Sequence, residues 1–239
     1  APLGFEDRFV FARRFAERGG AVWYAFRDAV PDGRIGYDHA RVLTDVINDR
    51  NVDAITPVLD DLIDAAADEA RHGGLTPFGR EVVREMNRLG MIVDVAHLAP
   101  AGIRDVYEIC DGPFVDSHCG AFGLVPHERN LSDEQLEMVA KKDGLVCVTY
   151  VPEFIQNEPM KASLADVVDH IDYIAKQIGV EHVGLGSDFD GYTHHVEHLD
   201  DVGSLPNITA ELVKRGYKEA DVKKILGENY LRVIRQVIG

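Results

Sequence analysis

The chain has 239 residues, 46% of them hydrophobic and 28% charged, enough to bury the core of one α/β domain. A formal charge of −16 without any Lys/Arg-rich run excludes a partner gripped through nucleic-acid phosphates. The three cysteines, Cys110, Cys119 and Cys147, lack CxxC spacing, so neither a disulfide framework nor a thiolate zinc knot is indicated.

A reduced, cytoplasmic compartment is the expectation, although a chain beginning at Ala1 leaves a removed signal peptide open. No apolar stretch reaches the roughly 20 residues of a membrane span. In chain order, Phe5–Glu17 and His39–Asn48 read as helices, and Ala21–Phe26 and Val52–Val58 as strands, the latter weakened by Pro57. Thr76-Pro77 opens a helix that Gly90 closes after Leu89. A strand over 91–96 runs to His97, followed by a helix over 101–109 and a strand over 114–117 that runs to His118. Ser132-Asp-Glu-Gln has the cap-then-acid pattern of a helix start, leading into 133–142. A strand over 145–150 ends at Tyr150, a helix over 163–178 ends at Gly179, and a strand over 182–187 runs to Asp188. Two helices, near 207–215 and 218–236, close the chain.

Helical sequence separates consecutive strands, so the strands are expected to be parallel with their C-terminal ends on one rim. In a (β/α) barrel that rim carries the active site. Two imidazoles and a carboxylate delivered there by separate strands look like a metal-hydrolase site. A lone histidine after a buried strand is more often a packing residue; two on one rim with an acid beside them favour ligation. His194, His195 and His198 sit on a polar loop and read as solvated. Cys119 reads as a small packing residue. Gly184-x-Gly186 opens no helix, which argues against a phosphate loop.

The run from His72-Gly-Gly-Leu-Thr-Pro through Val93-Asp-Val-Ala-His97 resembles the membrane (renal) dipeptidase family, peptidase family M19. So do Asp116-Ser-His118, Arg129-Asn130, Asp169-His-Ile-Asp-Tyr-Ile and Gly184-Leu-Gly-Ser-Asp-Phe-Asp-Gly191. The resemblance covers residues 64–239 and includes the spacing of 21 between the histidines (118 − 97). It implies a TIM-type (β/α)8 barrel with two bridged zinc ions that cleaves the peptide bond of dipeptides. Residues 1–239 are then a single barrel domain. Residues 1–63 are divergent or truncated relative to the family, because only about six strands are recognisable where such a barrel has eight. By the same resemblance His97 and His118 are ligands of the second zinc. Arg129 grips the substrate carboxylate, Phe154 lines the pocket, and Asp188 handles the proton of the attacking water or leaving amine. A homodimer is a further expectation, and a small dipeptide the expected partner. The family's N-terminal His-x-Asp pair and bridging Glu have no counterpart before residue 64, and His170-Ile-Asp172 falls inside a predicted helix. Two alternatives therefore stand beside the dipeptidase. One is a non-catalytic or fragmentary member that keeps the fold with an incomplete metal site. The other is a hydrolase that recruits acids such as Asp60, Asp61 or Asp64.

Overall fold

The computed structural model describes residues 73–239, and Val82–Gly239 forms one compact unit. The helices and strands expected before residue 63, and the acids at 60, 61 and 64, lie outside the described residues.

The first described helix, α1 (Pro77–Leu89), starts on Thr76, whose hydroxyl accepts the Gly79 N–H at 3.0 Å. It ends where Gly90 takes a left-handed φ of 67° and the Met91 N–H closes on the Met86 carbonyl. After α2 (Pro100–Ile109) come β1 (Val115–Cys119), α3 (Asp133–Lys141), β2 (Leu145–Val148) and the short α4 (Pro152–Ile155). The long α5 (Leu164–Ile178), β3 (Val183–Leu185), α6 (Pro206–Lys214), α7 (Glu219–Lys223) and α8 (Asn229–Val237) follow. The expected cap at Ser132 is a full capping box, with the Ser132 and Gln135 side chains each accepting the other's backbone N–H.

The strands pair in parallel in the order β1-β2-β3, as the intervening helices require. The expected strand at 91–96 contributes only a parallel bridge from Asp94 to Val115, with Val95 donating to the Val115 carbonyl at 2.7 Å. The Asp94 carboxylate accepts the Ala96 N–H at 3.0 Å, a local turn that takes the chain out of the ladder. β2 and β3 are also shorter than the apolar runs that announced them. At Thr149 the hydroxyl accepts the Val151 N–H, bending the chain towards α4.

The register of β1 on β2 slips between Asp116 and Cys119, so Ser117 and His118 form a bulge. This bulge brings the Ser117 carbonyl over Gly186 just beyond β3. A Cβ on Gly186 would lie 1.9 Å from that oxygen and 3.0 Å from the Cys147 Cβ. Only glycine fits there, and β1 and β3 approach one another across β2.

Val115, Leu145 and Cys147 pack with Val233 of α8, and Ile92 and Val237 lean on the cluster. Asn229 donates to the Val180 and Val183 carbonyls at 2.8 Å, and Arg232 to those of Asp143, Gly144 and Glu181. The closing helix thus satisfies the backbone at the entrances to β2 and β3. The single helix expected over 218–236 is interrupted by a π turn at Lys224–Glu228, kinked at Gly227. Among the described residues no helix is long and apolar enough to cross a membrane.

Candidate metal centre and substrate pocket

His97 follows the Asp94 bridge and His118 rides on the β1 bulge, and their Nε2 atoms lie 2.9 Å apart. The ring centroids are 4.9 Å apart with the planes at 58°. Asp94 holds the two carriers together, because the oxygen that accepts the Ala96 N–H also accepts that of Ser117 at 3.1 Å. His97 adopts a left-handed φ of 74°, a conformation that costs a non-glycine residue on the order of 1–2 kcal/mol. Backbone strain of this kind gathers where a side chain must be aimed.

The Ser117 hydroxyl lies 2.8 Å from His118 Nδ1, and Arg129 Nη2 lies 3.3 Å from His118 Nε2. A guanidinium can only donate, so His118 Nε2 presents a lone pair and its proton belongs on Nδ1, facing Ser117. That is the tautomer a metal-ligating imidazole uses when its other nitrogen is held by a neighbour. Two nitrogens on one tetrahedral zinc stand about 3.3 Å apart, so a shift of a few tenths of an ångström would admit the ion. The donor chemistry fits zinc. Among the described residues, however, no group of three or more His, Cys, Asp or Glu converges on one point.

Asp116, beneath the bulge, is 2% exposed, and its carboxyl is pushed up to about 7 by burial, with the nearby Asp94 charge adding to the effect. Its oxygen accepts the His118 N–H at 3.2 Å. Cys119 is fully buried beside it, and burial holds its thiol protonated, consistent with a packing residue.

Arg129 and Phe154 come together next to the histidines, with the guanidinium 5.2 Å from the ring centre. Asn130 fixes both. It accepts the Gly120 N–H at 2.7 Å and donates to the Val125 and Phe154 carbonyls at 2.9 and 2.7 Å. His170, buried on α5, accepts the Ala121 N–H at 2.8 Å, and its Nε2 lies 3.2 Å from the Ile155 carbonyl. This histidine is a structural bracket for the loop and α4.

Asp188 lies just past β3, also at a left-handed φ, 54°. Its carboxylate rests on Gly191, where an added Cβ would meet both oxygens at 2.4 Å. Its charge adds to burial in pushing the Tyr192 phenol up to about 12. Tyr150, past β2, meets Phe189 edge to face at 5.6 Å. The buried hydroxyls of Tyr150 and Tyr192 have no hydrogen-bond partner in the described structure. His194, His195 and His198 are exposed.

Four of the five residues singled out in the sequence, His97, His118, Arg129 and Phe154, are therefore linked by direct contacts. Asp188 sits at the same end of the parallel strands, with its described contacts to the following loop. Sequence reasoning missed Asp94 and Ser117 as orienting groups and His127 as a neighbour of Phe154. The only local signal was their closeness in sequence to His97, His118 and Arg129.

The family model of membrane dipeptidases matches residues 39–238. Dipeptidase tcpJ of Claviceps purpurea is 42% identical over 176 residues, which are 73% of this chain and 41% of that protein. Dipeptidase aclJ of Aspergillus oryzae is 44% identical over 173 residues, 72% of this chain and 41% of that protein. The chain thus spans less than half the length of these curated relatives. A metallo peptidase from Rhodobacter sphaeroides, liganded with a phosphinate mimic of the dipeptide L-Ala-D-Ala, superposes with a TM-score of 0.66 at 34% identity. That match covers 69% of this chain and 47% of the other. The probable dipeptidase PvdM from Pseudomonas aeruginosa gives the same TM-score at 29% identity, covering 69% of this chain and 55% of its own. On this likeness in sequence and in fold, the chain belongs to the membrane dipeptidase family, peptidase family M19.

Proposed function

We propose that the protein is a zinc-dependent, dipeptidase-like hydrolase built as a TIM-type (β/α)8 barrel, acting on the peptide bond of dipeptides. The observation that carries this reading is the convergence of His97 and His118 Nε2, 2.9 Å apart, from two separate rim positions. The barrel is supported by the parallel order β1-β2-β3, by the approach of β1 to β3 at Gly186, and by the likeness to M19 structures.

His97 and His118 would hold a zinc ion, which would supply a Lewis acid and a water of lowered pKa. Ser117 keeps the His118 proton on Nδ1, so that Nε2 is the nitrogen that would ligate. Arg129 offers its fork to the free carboxylate of the dipeptide, the geometry in which guanidinium binds best. Phe154 lines the pocket beneath that carboxylate, with the guanidinium 5.2 Å from its ring centre. Asp188 takes the proton of the attacking water and passes it to the leaving amine.

A second reading, a non-catalytic member with an incomplete metal site, is favoured by one observation: among the described residues no third ligand joins the two histidines. Elemental analysis and a dipeptide panel, with and without added zinc, separate the two. The hydrolase reading expects bound zinc, zinc-dependent turnover, and loss of tight zinc binding in His118→Ala. Absent zinc and absent turnover would leave the second reading, and unchanged zinc stoichiometry in His118→Ala would remove His118 as a ligand.

A further inference from the structure

His127 is half-buried in the turn that delivers Arg129, and neither the metal nor the proton chemistry uses it. Its Nδ1 accepts the Arg129 backbone N–H at 3.1 Å, and its carbonyl accepts the Asn130 N–H at 3.0 Å. Its ring lies on Phe154, with centroids 4.5 Å apart and planes at 34°. Phe154 is also the ring over which the Arg129 guanidinium sits. One side chain therefore fixes both the backbone from which Arg129 departs and the aromatic plate on which its cation rests. An accepting Nδ1 also puts the neutral ring's proton on Nε2.

We propose that His127 is the positioning residue for carboxylate recognition: it sets the height and direction of Arg129 through Phe154 and through the Arg129 N–H. The inference rests on the carboxylate role of Arg129 given above. Its two contacts are separable by substitution. His127→Asn keeps a side-chain oxygen able to accept the N–H but loses the stacked ring. His127→Phe keeps a ring and loses the acceptor, and His127→Ala loses both.

The test uses the full-length, zinc-loaded protein and compares a dipeptide with its C-terminal amide. His127→Ala should raise KM for the free acid roughly tenfold, with kcat within about twofold and zinc content unchanged. KM for the amide should stay where it was, and the Asn and Phe variants should each recover part of the loss. Backbone exchange supplies a readout that does not depend on turnover. The Arg129 N–H should exchange roughly three- to tenfold faster in the Ala and Phe variants but not in the Asn variant. An unchanged KM for the acid in His127→Ala, an equal loss on the amide, or unchanged Arg129 exchange would overturn the proposal. Arg129→Ala run alongside separates the two layers. If it leaves acid and amide undistinguished from the parent, the carboxylate reading itself fails. If it abolishes the discrimination while His127→Ala does not, only the role of His127 fails.

Discussion

His170 shows how a histidine in a metallopeptidase family can carry structure alone. It is 1% exposed, uses both ring nitrogens on backbone partners, and burial drives its pKa down from 6.5 to about 4. The unfolded chain takes up a proton near 6.5 while the folded form stays neutral, so stability rises with pH across that interval. The contribution is complete above about pH 6.5 and is lost as pH falls towards 4, amounting to roughly 3 kcal/mol. Urea midpoints measured between pH 7.5 and 4.5 should fall steeply for the parent and less for His170→Gln, which cannot titrate. Equal slopes for the two proteins would place the acid sensitivity elsewhere. The bracket itself was not legible in the sequence, because the contact from His170 to Ala121 spans 49 positions. The same holds for Asp94, which reaches Ser117 across 23. Local pattern marks a residue that ends a strand; it does not say which distant backbone group that residue will hold.

At the scale of elements, helices were read more accurately than strands, for a physical reason. Helix ends are written locally, in caps such as Ser132 with Gln135 and in closing glycines such as Gly90, so their bounds agree to a residue or two. Strand ends depend on when the neighbouring ladder stops. The apolar runs at 91–96, 145–150 and 182–187 mark more chain than the regular ladder uses. It covers Asp94, Leu145–Val148 and Val183–Leu185, with only single hydrogen bonds such as Gly186 to Val148 and Tyr150 to Ser187 beyond it. The β1 bulge was invisible for the same reason, yet it aims His118. Gly186 is the element on which the bulge rests, since any side chain there would strike the Ser117 carbonyl. Gly186→Ala should destabilise the fold by about 1–3 kcal/mol and weaken zinc binding, because relief of the clash moves Ser117 and His118. Gly112→Ala is the control, with nothing within 4 Å of its added Cβ. Thermal melts and a zinc titration of both variants decide the matter. A Gly186→Ala protein as stable and as zinc-avid as the control would mean that the bulge does not depend on this contact.

At the scale of the whole chain, a net charge of −16 sets a long-range field that the proposed Arg129 site would work against. On the proposed dipeptidase reading, a zwitterionic dipeptide has no net charge and feels little of that field, so its capture would depend on short-range contacts with Arg129 and Phe154. A dipeptide carrying an extra Asp or Glu side chain arrives as an anion and is repelled until it is within a screening length of the pocket. Salt shortens that length from about 30 Å at 0.01 M to about 8 Å at 0.15 M. The anionic substrate's kcat/KM should therefore rise, relative to that of the neutral one, as ionic strength increases over that range. The direction follows from sign alone: screening removes a repulsion that only the anion experiences, while on the proposed reading both substrates would lose the same short-range attraction between their carboxylate and Arg129. Steady-state kinetics on an Ala-Ala and Glu-Ala pair, in parallel at each salt concentration, give the ratio directly. A ratio independent of salt would show that positive charge near the pocket cancels the global field. A falling ratio would require a second cation that engages the acidic side chain, and would redirect attention to the groups around Arg129.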